Sequence, residues 1–189
     1  MITQDAKVAG DIAGCSGNGV MIGADNITLD LNGHTISGDG SATNEEAGVF
    51  NPGFDNVTIK NGTIAGFPLM INAGEGGGAT GLVIRNIAGE GIFGDLFVVG
   101  NGVVIEKNTL LGNNDSAITY AGDDSEITKN LIVGNNDIAI FVTGNRNQIT
   151  KNTIRSGPNC GAFVDANGQD NVVEKNETSA TGGECVADA

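Results

Sequence analysis

The chain has 189 residues and a formal net charge of −14 at pH 7. This length suits a single domain, and the charge argues against nucleic acid and anionic lipid as partners, because their phosphates would be repelled. An acidic polysaccharide would need a bridging cation. Since no apolar stretch is long enough for a membrane span, we expect no membrane insertion. No signal peptide opens the sequence, which fits either a cytosolic protein or a secreted one whose signal has been removed.

From residue 24 to residue 189 the sequence predicts one repetitive array. Apolar residues alternate with others, as in Leu96-x-Val98, and this period of two indicates strands. A basic residue followed by Asn recurs with a 22-residue period between positions 85 and 151, which indicates a solenoid whose coils hold about three short strands each. The pairs are Lys60-Asn61, Arg85-Asn86, Lys107-Asn108, Lys129-Asn130, Lys151-Asn152 and Lys175-Asn176.

Residues 1–23 precede the array, and we expect them to form an N-terminal cap that pairs with the first coil. Without a cap, that coil would expose an open sheet edge. Two segments interrupt the period, the acidic stretch 39–53 and the glycine-rich stretch 73–81. We interpret both as inserted loops, which either are simply solvated or border a site.

The Asn residues of the repeat are predicted to form a structural ladder. Asn tolerates the left-handed backbone conformation that a solenoid corner needs, and its amide can donate to the equivalent amide of the next coil. The Lys or Arg before each Asn is then an exposed neighbour that offsets an acidic surface. The ladder comprises Asn86, Asn108, Asn130, Asn152 and Asn176.

The sharpest candidate for a binding surface is an aromatic column whose members recur with the same period. Columns of opposite parity are aliphatic, which places the rings outside the solenoid and Tyr120 inside, where its hydroxyl needs a partner. Exposed rings fit a platform for sugar rings or an interface between subunits; if the parity slips, they are core. The column comprises Phe97, Thr119, Phe141 and Phe163, flanked by Asp95 and Asp165.

A second candidate is a calcium site. The sequence Gly-Asn-Asn-Asp occurs at 112–115 and again at 134–137, so stacking sets the carboxylates of Asp115 and Asp137 about one strand spacing apart. Like charges that close repel unless a cation or proton intervenes, and oxygen ligands suit Ca²⁺. Ordinary turn chemistry accounts for the same residues. The pair Asp123-Asp124 is a further candidate.

The sequence singles out no catalytic set. The lysines of the repeat recur identically, so none stands out as a catalytic base. The single histidine, His34, is far in sequence from Tyr120, so a catalytic Tyr-His-Asp set is not matched. Acidic residues are plentiful, but no pair stands out as the two carboxylates that glycoside hydrolysis requires. Cys160 and Cys185 lie about one coil apart and could form a disulfide, which leaves Cys15 without a partner.

Three segments resemble the right-handed parallel β-helix repeat family: ITLDLNGHTISG at 27–38, VTIKNGTIAG at 57–66 and IEKNTLLG at 105–112. The resemblance covers about residues 20–189. It implies an all-β fold, a right-handed single-stranded solenoid of about seven coils of 22–25 residues each. Members of the family include pectate and alginate lyases, mannuronan epimerases, phage tailspikes and surface adhesins, so the fold alone does not choose an activity.

We therefore expect an extracellular or cell-surface protein, a non-catalytic scaffold that contacts glycans or self-associates through the phenylalanine column. Its partner is then a polysaccharide or another β-helix subunit, and Ca²⁺ is the only cofactor that the sequence suggests. The alternative is a calcium-assisted polysaccharide lyase or an epimerase-like enzyme that acts on uronate polymers.

Overall fold

The computed structural model describes residues 1–41, 46–112, 116–134, 138–156 and 164–180, with the backbone alone at 90–93, 95, 156 and 180. The described residues form strands and no helix. The strands are β1 (Ala6–Lys7), β2 (Ile12–Cys15), β3 (Val20–Met21), β4 (Thr28–Asp30), β5 (Thr35–Gly38), β6 (Ala47–Phe50), β7 (Thr58–Ala73), β8 (Val83–Val99), β9 (Val104–Glu106), β10 (Thr109–Leu111), β11 (Ile118–Ala121), β12 (Glu126–Thr128), β13 (Leu131–Val133), β14 (Ile140–Thr143), β15 (Gln148–Thr150), β16 (Thr153–Ser156), β17 (Val164–Asn167), β18 (Val172–Glu174) and β19 (Glu177–Ala180).

Each strand pairs in parallel with the strand one coil later, so the chain climbs as a solenoid with three faces. The first face holds β1, β4, β9, β12, β15 and β18; the second holds β2, β5, β10, β13, β16 and β19; the third holds β3, β6, β11, β14 and β17. The long strands β7 and β8 run through all three faces. About seven coils stack in this way, as the repeat predicted.

The interior is a single aliphatic core between the three faces. On the first face the same inward position holds an apolar residue in successive coils, and each is at most 1% exposed: Leu29, Ile59, Ile84, Ile105, Ile127 and Ile149. Burying one such side chain contributes about 1.5–3 kcal/mol. One coil has only a few of these residues, so stability depends on stacking.

Residues 1–23 form a coil of the solenoid in their own right. Strands β1, β2 and β3 pair in parallel with β4, β5 and β6 of the next coil. This first coil therefore occupies the end of the stack and follows the same three-faced path as the coils above it.

The loop predicted at 39–53 is shorter than the sequence suggested, because β6 lies within it. Ala47 and Val49 are fully buried and Val49 stands in register with Val20 and Ile71. The sequence analysis missed this strand because its four residues lie among acidic residues and glycines, which are typical of a loop. The coil that contains the segment is still the longest, because no other stacked pair on the first face is as far apart in sequence as Leu29 and Ile59.

Four of the five ladder asparagines share one hydrogen-bonded column. Asn108 donates from its backbone N and its Nδ2 to Oδ1 of Asn130, at 3.0 Å each. Asn130 makes the same two bonds to Asn152, and Asn152 makes them to Asn176. The first three side chains are at most 1% exposed. Each amide therefore satisfies backbone groups that the solenoid corner would otherwise bury unpaired.

Asn86 does not belong to this column, although the 22-residue spacing predicted that it would. The coil between Ile84 and its partner Ile105 has 21 residues, so Asn108 stands opposite Ile87 and accepts a bond from its backbone N at 2.9 Å. The Nδ2 of Asn86 instead donates to Asn61 Oδ1, 3.2 Å away on the surface. One missing residue thus divides the predicted ladder into two columns.

The left-handed residue at this corner also differs from the prediction. Asn61 and Asn86 have positive φ, but in later coils the lysine before the asparagine takes that conformation, at φ 57–60°: Lys107, Lys129, Lys151 and Lys175. A non-glycine residue there costs about 1–2 kcal/mol. This conformation of the exposed lysine directs the following asparagine inward. The hydrogen bonds of that asparagine to backbone groups offset the strain.

Tyr120 lies inside, as its parity predicted, and its hydroxyl has partners. It donates to the carbonyl oxygen of Gly100 and meets Ser125 Oγ, both at 2.5 Å. Ser125 belongs to a second buried polar column, in which Val103 N donates to Ser125 Oγ and Ser125 N donates to Asn147 Oδ1. Sequence reasoning missed this column because its successive members, Val103, Ser125 and Asn147, are different residue types.

Burial raises the pKa of Tyr120 to about 12, and the carboxylates of Asp123 and Asp124 add to the increase while the Ser125 hydrogen bond opposes it. The unfolded chain loses this proton near pH 10. Between pH 10 and 12 the folded state therefore binds more protons than the unfolded state, so stability falls as pH rises. A difference of two pKa units corresponds to about 2.7 kcal/mol.

We therefore expect wild type to lose about 2–3 kcal/mol of unfolding free energy between pH 10 and 12 relative to Tyr120→Phe. The chain has one tyrosine and no tryptophan, so near-ultraviolet absorbance follows this hydroxyl alone. Titration of the folded protein near pH 10, or an identical alkaline slope in the variant, would contradict the buried position.

Candidate functional site: an outward column on the third face

The candidate site is a line of side chains on the outer surface of the third face, one from each coil. Parallel pairing sets them in register along the solenoid axis. Neighbouring strands lie about 4.8 Å apart, which fixes their separation. We call this line the outer column; from the first coil upward it comprises Met21, Phe50, Asn72, Phe97, Thr119, Phe141 and Asp165.

The burial of neighbouring residues shows that the column faces outward. Leu96 and Val98 are at most 2% exposed, whereas Phe97 between them is partly exposed. Phe141 is likewise partly exposed between the fully buried Ile140 and Val142. The rings are therefore on the surface of the solenoid, which is the orientation that the strand parity predicted.

Beside the outer column runs a second outward line of small or polar residues. It consists of Val99, Ala121, Thr143 and Asn167, which are in register with one another and all partly or fully exposed. These side chains are shorter than the phenylalanine rings beside them.

Among the described residues, the last member of the outer column is Asp165, and Phe163 is not its member in that coil. The coil after Phe141 is longer than the coil before it, so Asp165 stands opposite Phe141 and Val164 opposite Ile140. The 22-residue spacing placed Phe163 there and was wrong by two residues. Phe163 lies outside the described residues, as does the side chain of Asp95.

Sequence reasoning missed the lower half of the column, Met21, Phe50 and Asn72. The step from Phe50 to Asn72 equals the regular period, but the step from Asn72 to Phe97 is longer, so no single period connects the three. The longer spacing between Lys60-Asn61 and Arg85-Asn86 was the available signal. Applied to Phe97, it leads to Asn72.

From Phe50 upward, rings and polar side chains alternate along the column. Phe50, Phe97 and Phe141 occupy every second coil, with Asn72 and Thr119 between them and Asp165 after the last ring. Since coils lie about 4.8 Å apart, the strands that carry successive rings are about 9.6 Å apart. The surface thus offers three apolar contacts separated by hydrogen-bonding groups.

Asn72 is unusual within the column because it faces outward and yet is buried. Its side chain is 2% exposed, and its Oδ1 has no hydrogen-bond partner. Phe50 and Phe97 are its neighbours in the coils below and above. Leaving a buried acceptor unpaired costs about 1–3 kcal/mol, so the position carries a stability cost that packing does not explain.

The ring of Phe97 lies over a glycine. A Cβ added to Gly74 would be 2.5 Å from Cε1 of Phe97 and 3.0 Å from Cγ2 of Val99. The ring therefore occupies the space that a larger residue at position 74 would fill, and this contact holds it against the sheet.

The predicted calcium site rests on residues that the structure does not describe. Asp115 and Asp137 lie outside the described residues, as do Cys160 and Cys185. Within the described ranges there is no group of three or more His, Cys, Asp or Glu side chains that could hold a metal ion. Cys15 is free and partly buried.

Asp123 and Asp124 face a cation of the chain itself. Arg146 donates from Nε to Asp124 Oδ1 and from Nη2 to Asp124 Oδ2, both at 2.7 Å, and Nη2 also reaches Asp123 Oδ2 at 3.2 Å. The hydrogen bonds from Arg146 lower the pKa of Asp124. This guanidinium occupies the position where a calcium ion was considered.

His34 has a local partner near the first coil. Its Nδ1 lies 3.3 Å from Oδ1 of Asp11, which also accepts a bond from Thr35 N at 2.9 Å. The backbone bond from Thr35, with a smaller contribution from His34, lowers the pKa of Asp11. This pair is on the second face, whereas Tyr120 is in the interior behind the third, so the three do not form one site.

A stack of parallel three-strand coils around one aliphatic core defines the protein as a parallel β-solenoid. The sequence pattern of the right-handed β-helix region matches residues 91–187, just over half of the chain. The chain therefore belongs to the right-handed β-helix family. No curated protein and no solved structure matches the chain. Among the described residues, no helix is long and apolar enough to cross a membrane.

Proposed function

We propose that the protein is a non-catalytic extracellular scaffold that binds a glycan through the outer column. The observation that carries the proposal is the outward line of Phe50, Phe97 and Phe141, with polar side chains in the coils between them. Apolar faces of sugar rings pack on aromatic side chains, and the polar residues of such a site orient the ligand through hydrogen bonds.

The shape of the surface supports a long ligand. Because the coils stack in register, the rings form a straight row along the solenoid axis, with short side chains along one flank. A linear polymer can contact several rings at once, and weak contacts at neighbouring positions add to a useful affinity. A compact ligand would reach only one ring.

The charge of the chain restricts the kind of glycan. With a formal net charge of −14, the surface repels polyanions unless cations screen it. Asp165 is the charged residue of the outer column and adds to this repulsion. A glycan without acidic sugars therefore fits the column better than a uronate polymer does.

Replacing two rings tests the proposal. We expect Phe97→Ala/Phe141→Ala to weaken binding to a glycan that wild type retains by at least about tenfold, because each partly exposed ring contributes on the order of 1 kcal/mol. Affinity electrophoresis against a panel of soluble polysaccharides gives the measurement. Leu111→Ala is the matched control, since Leu111 is an apolar residue of the second face and is 38% exposed.

Three results would count against the proposal. Retention of no polysaccharide by wild type would refute it, as would equal binding by the double variant. Release of unsaturated products from pectate or alginate, seen as double-bond absorbance, would support the lyase alternative. Light scattering that shows assembly of wild type and its loss in Phe141→Asp, without glycan binding, would assign the column to self-association.

A further inference from the structure

We propose that the glycan bound by the outer column is an extended β-1,4-linked chain without acidic sugars, lying along the solenoid axis, with every second sugar stacked on a phenylalanine. This inference rests on the proposed function and specifies its ligand. It follows from the alternation of the column, from the unpaired Oδ1 of Asn72 and from the charge of the chain.

The alternation matches the geometry of this linkage. In an extended β-1,4-linked chain successive pyranose rings are turned over by about half a turn, so only every second sugar presents the same face to a flat surface. The column presents a ring in every second coil, on strands about 9.6 Å apart, and two sugars of such a chain span a comparable length. An α-1,4-linked chain curves away from a straight row of rings.

The residues between the rings complete the match. A sugar between two stacked ones presents its opposite face over Asn72 or Thr119, and the hydroxyl groups at its rim can donate and accept hydrogen bonds. Asn72 Oδ1 is a buried acceptor with no partner. A sugar hydroxyl that inserts between Phe50 and Phe97 would donate to this Oδ1. The bound state would then satisfy a buried acceptor that is unpaired in the free protein.

Chain length gives the sharpest test. Phe50 and Phe141 are four coils apart, so one sugar per coil means that a trisaccharide reaches two rings and a pentasaccharide reaches all three. In calorimetric titrations with cello-, chito- and manno-oligosaccharides, we expect large affinity gains from two to three sugars and from four to five, each about tenfold. Gains from three to four and from five to six should be small.

Linkage provides the second arm of the experiment. Maltohexaose, with α-1,4 links, and laminarihexaose, with β-1,3 links, have the same number of sugars but do not match the row of rings. We expect at least one β-1,4-linked hexasaccharide to bind about tenfold tighter than either. Equal or tighter binding of maltohexaose or laminarihexaose would overturn this inference and leave the proposed glycan scaffold standing, whereas binding of no glycan would overturn both.

Asn72→Leu separates a ligand role from a structural one. The change replaces an unpaired buried amide with an apolar group of similar size, so we expect Tm to rise by about 2–4 °C. If Asn72 binds sugar, pentasaccharide affinity falls by about fivefold or more in the same folded variant. Thr109→Val on the second face is the control and should change neither. A higher Tm with unchanged affinity would remove Asn72 from the site.

Discussion

Replacing Asn130 by Ala is expected to lower the free energy of unfolding by about 4 kcal/mol. Asn130 Oδ1 accepts from the backbone N and Nδ2 of Asn108, and its own Nδ2 donates to the carbonyl of Ile105 and to Asn152 Oδ1. The substitution leaves the Asn108 N–H buried without its acceptor and opens a small cavity. Urea denaturation followed by circular dichroism measures the loss.

Asn86→Lys is the matched control for this experiment. In the observed register Asn86 stands where Lys107 stands one coil later, and both have positive φ, at 53° and 57°. Lysine is therefore compatible with the position, and the change should cost about 1 kcal/mol or less. A decrease in unfolding free energy as large as that of Asn130→Ala would show that Asn86 belongs to the buried ladder and that the 21-residue register between Ile84 and Ile105 is incorrect.

Gly144→Ala is expected to destabilise the protein by about 3 kcal/mol. Gly144 has φ of 133°, in the region that glycine favours, and a Cβ there would overlap the carbonyl group of Gly122 in the coil below. The backbone strain arises because residues with a Cβ disfavour this φ, and the overlap arises because coils stack at the distance of a hydrogen bond. Neither can be relieved without separating two coils, so the thermal midpoint should fall markedly.

Gly17→Ala controls for the general effect of removing a glycine. No atom lies within 4 Å of the Cβ that this substitution adds, and its φ is not in the left-handed region. We expect a change between zero and a gain of about 1 kcal/mol, because alanine restricts the unfolded chain. Equal destabilisation by the two substitutions would mean that close packing of coils at Gly144 is not the cause.

A column of glycines at one corner of the solenoid shows where the 22-residue period stops predicting which residues are stacked. Gly100, Gly122 and Gly144 follow the regular period and have positive φ, but the next member is Gly168 rather than Ala166. A Cβ on Gly168 would overlap the carbonyl of Gly144. The regular period relates the first three glycines, and it fails where the coil lengthens.

The same limit applies to the candidate site. The regular period correctly related Phe97, Thr119 and Phe141, and strand parity placed them outside. It could not find Phe50 and Asn72, which are separated from Phe97 by a longer coil, and it assigned Phe163 to a position that Asp165 holds. The unpaired state of Asn72 is a property of packing, so no sequence pattern could have indicated it.

By itself, the sequence determined the fold class, because a repeating alternation of apolar residues can be buried only by stacking coil on coil. It also determined which residue types form the core, the corners and the outer surface. Only the tertiary structure decided which residues are neighbours along the axis. A gain or loss of one residue in a turn changes the stability of a coil little, but it shifts every later contact along the chain. The observed register is the one in which hydrogen bonding between coils, burial of apolar residues and pairing of amides are satisfied together. That register places Asn72 between two rings and Asn86 outside the ladder.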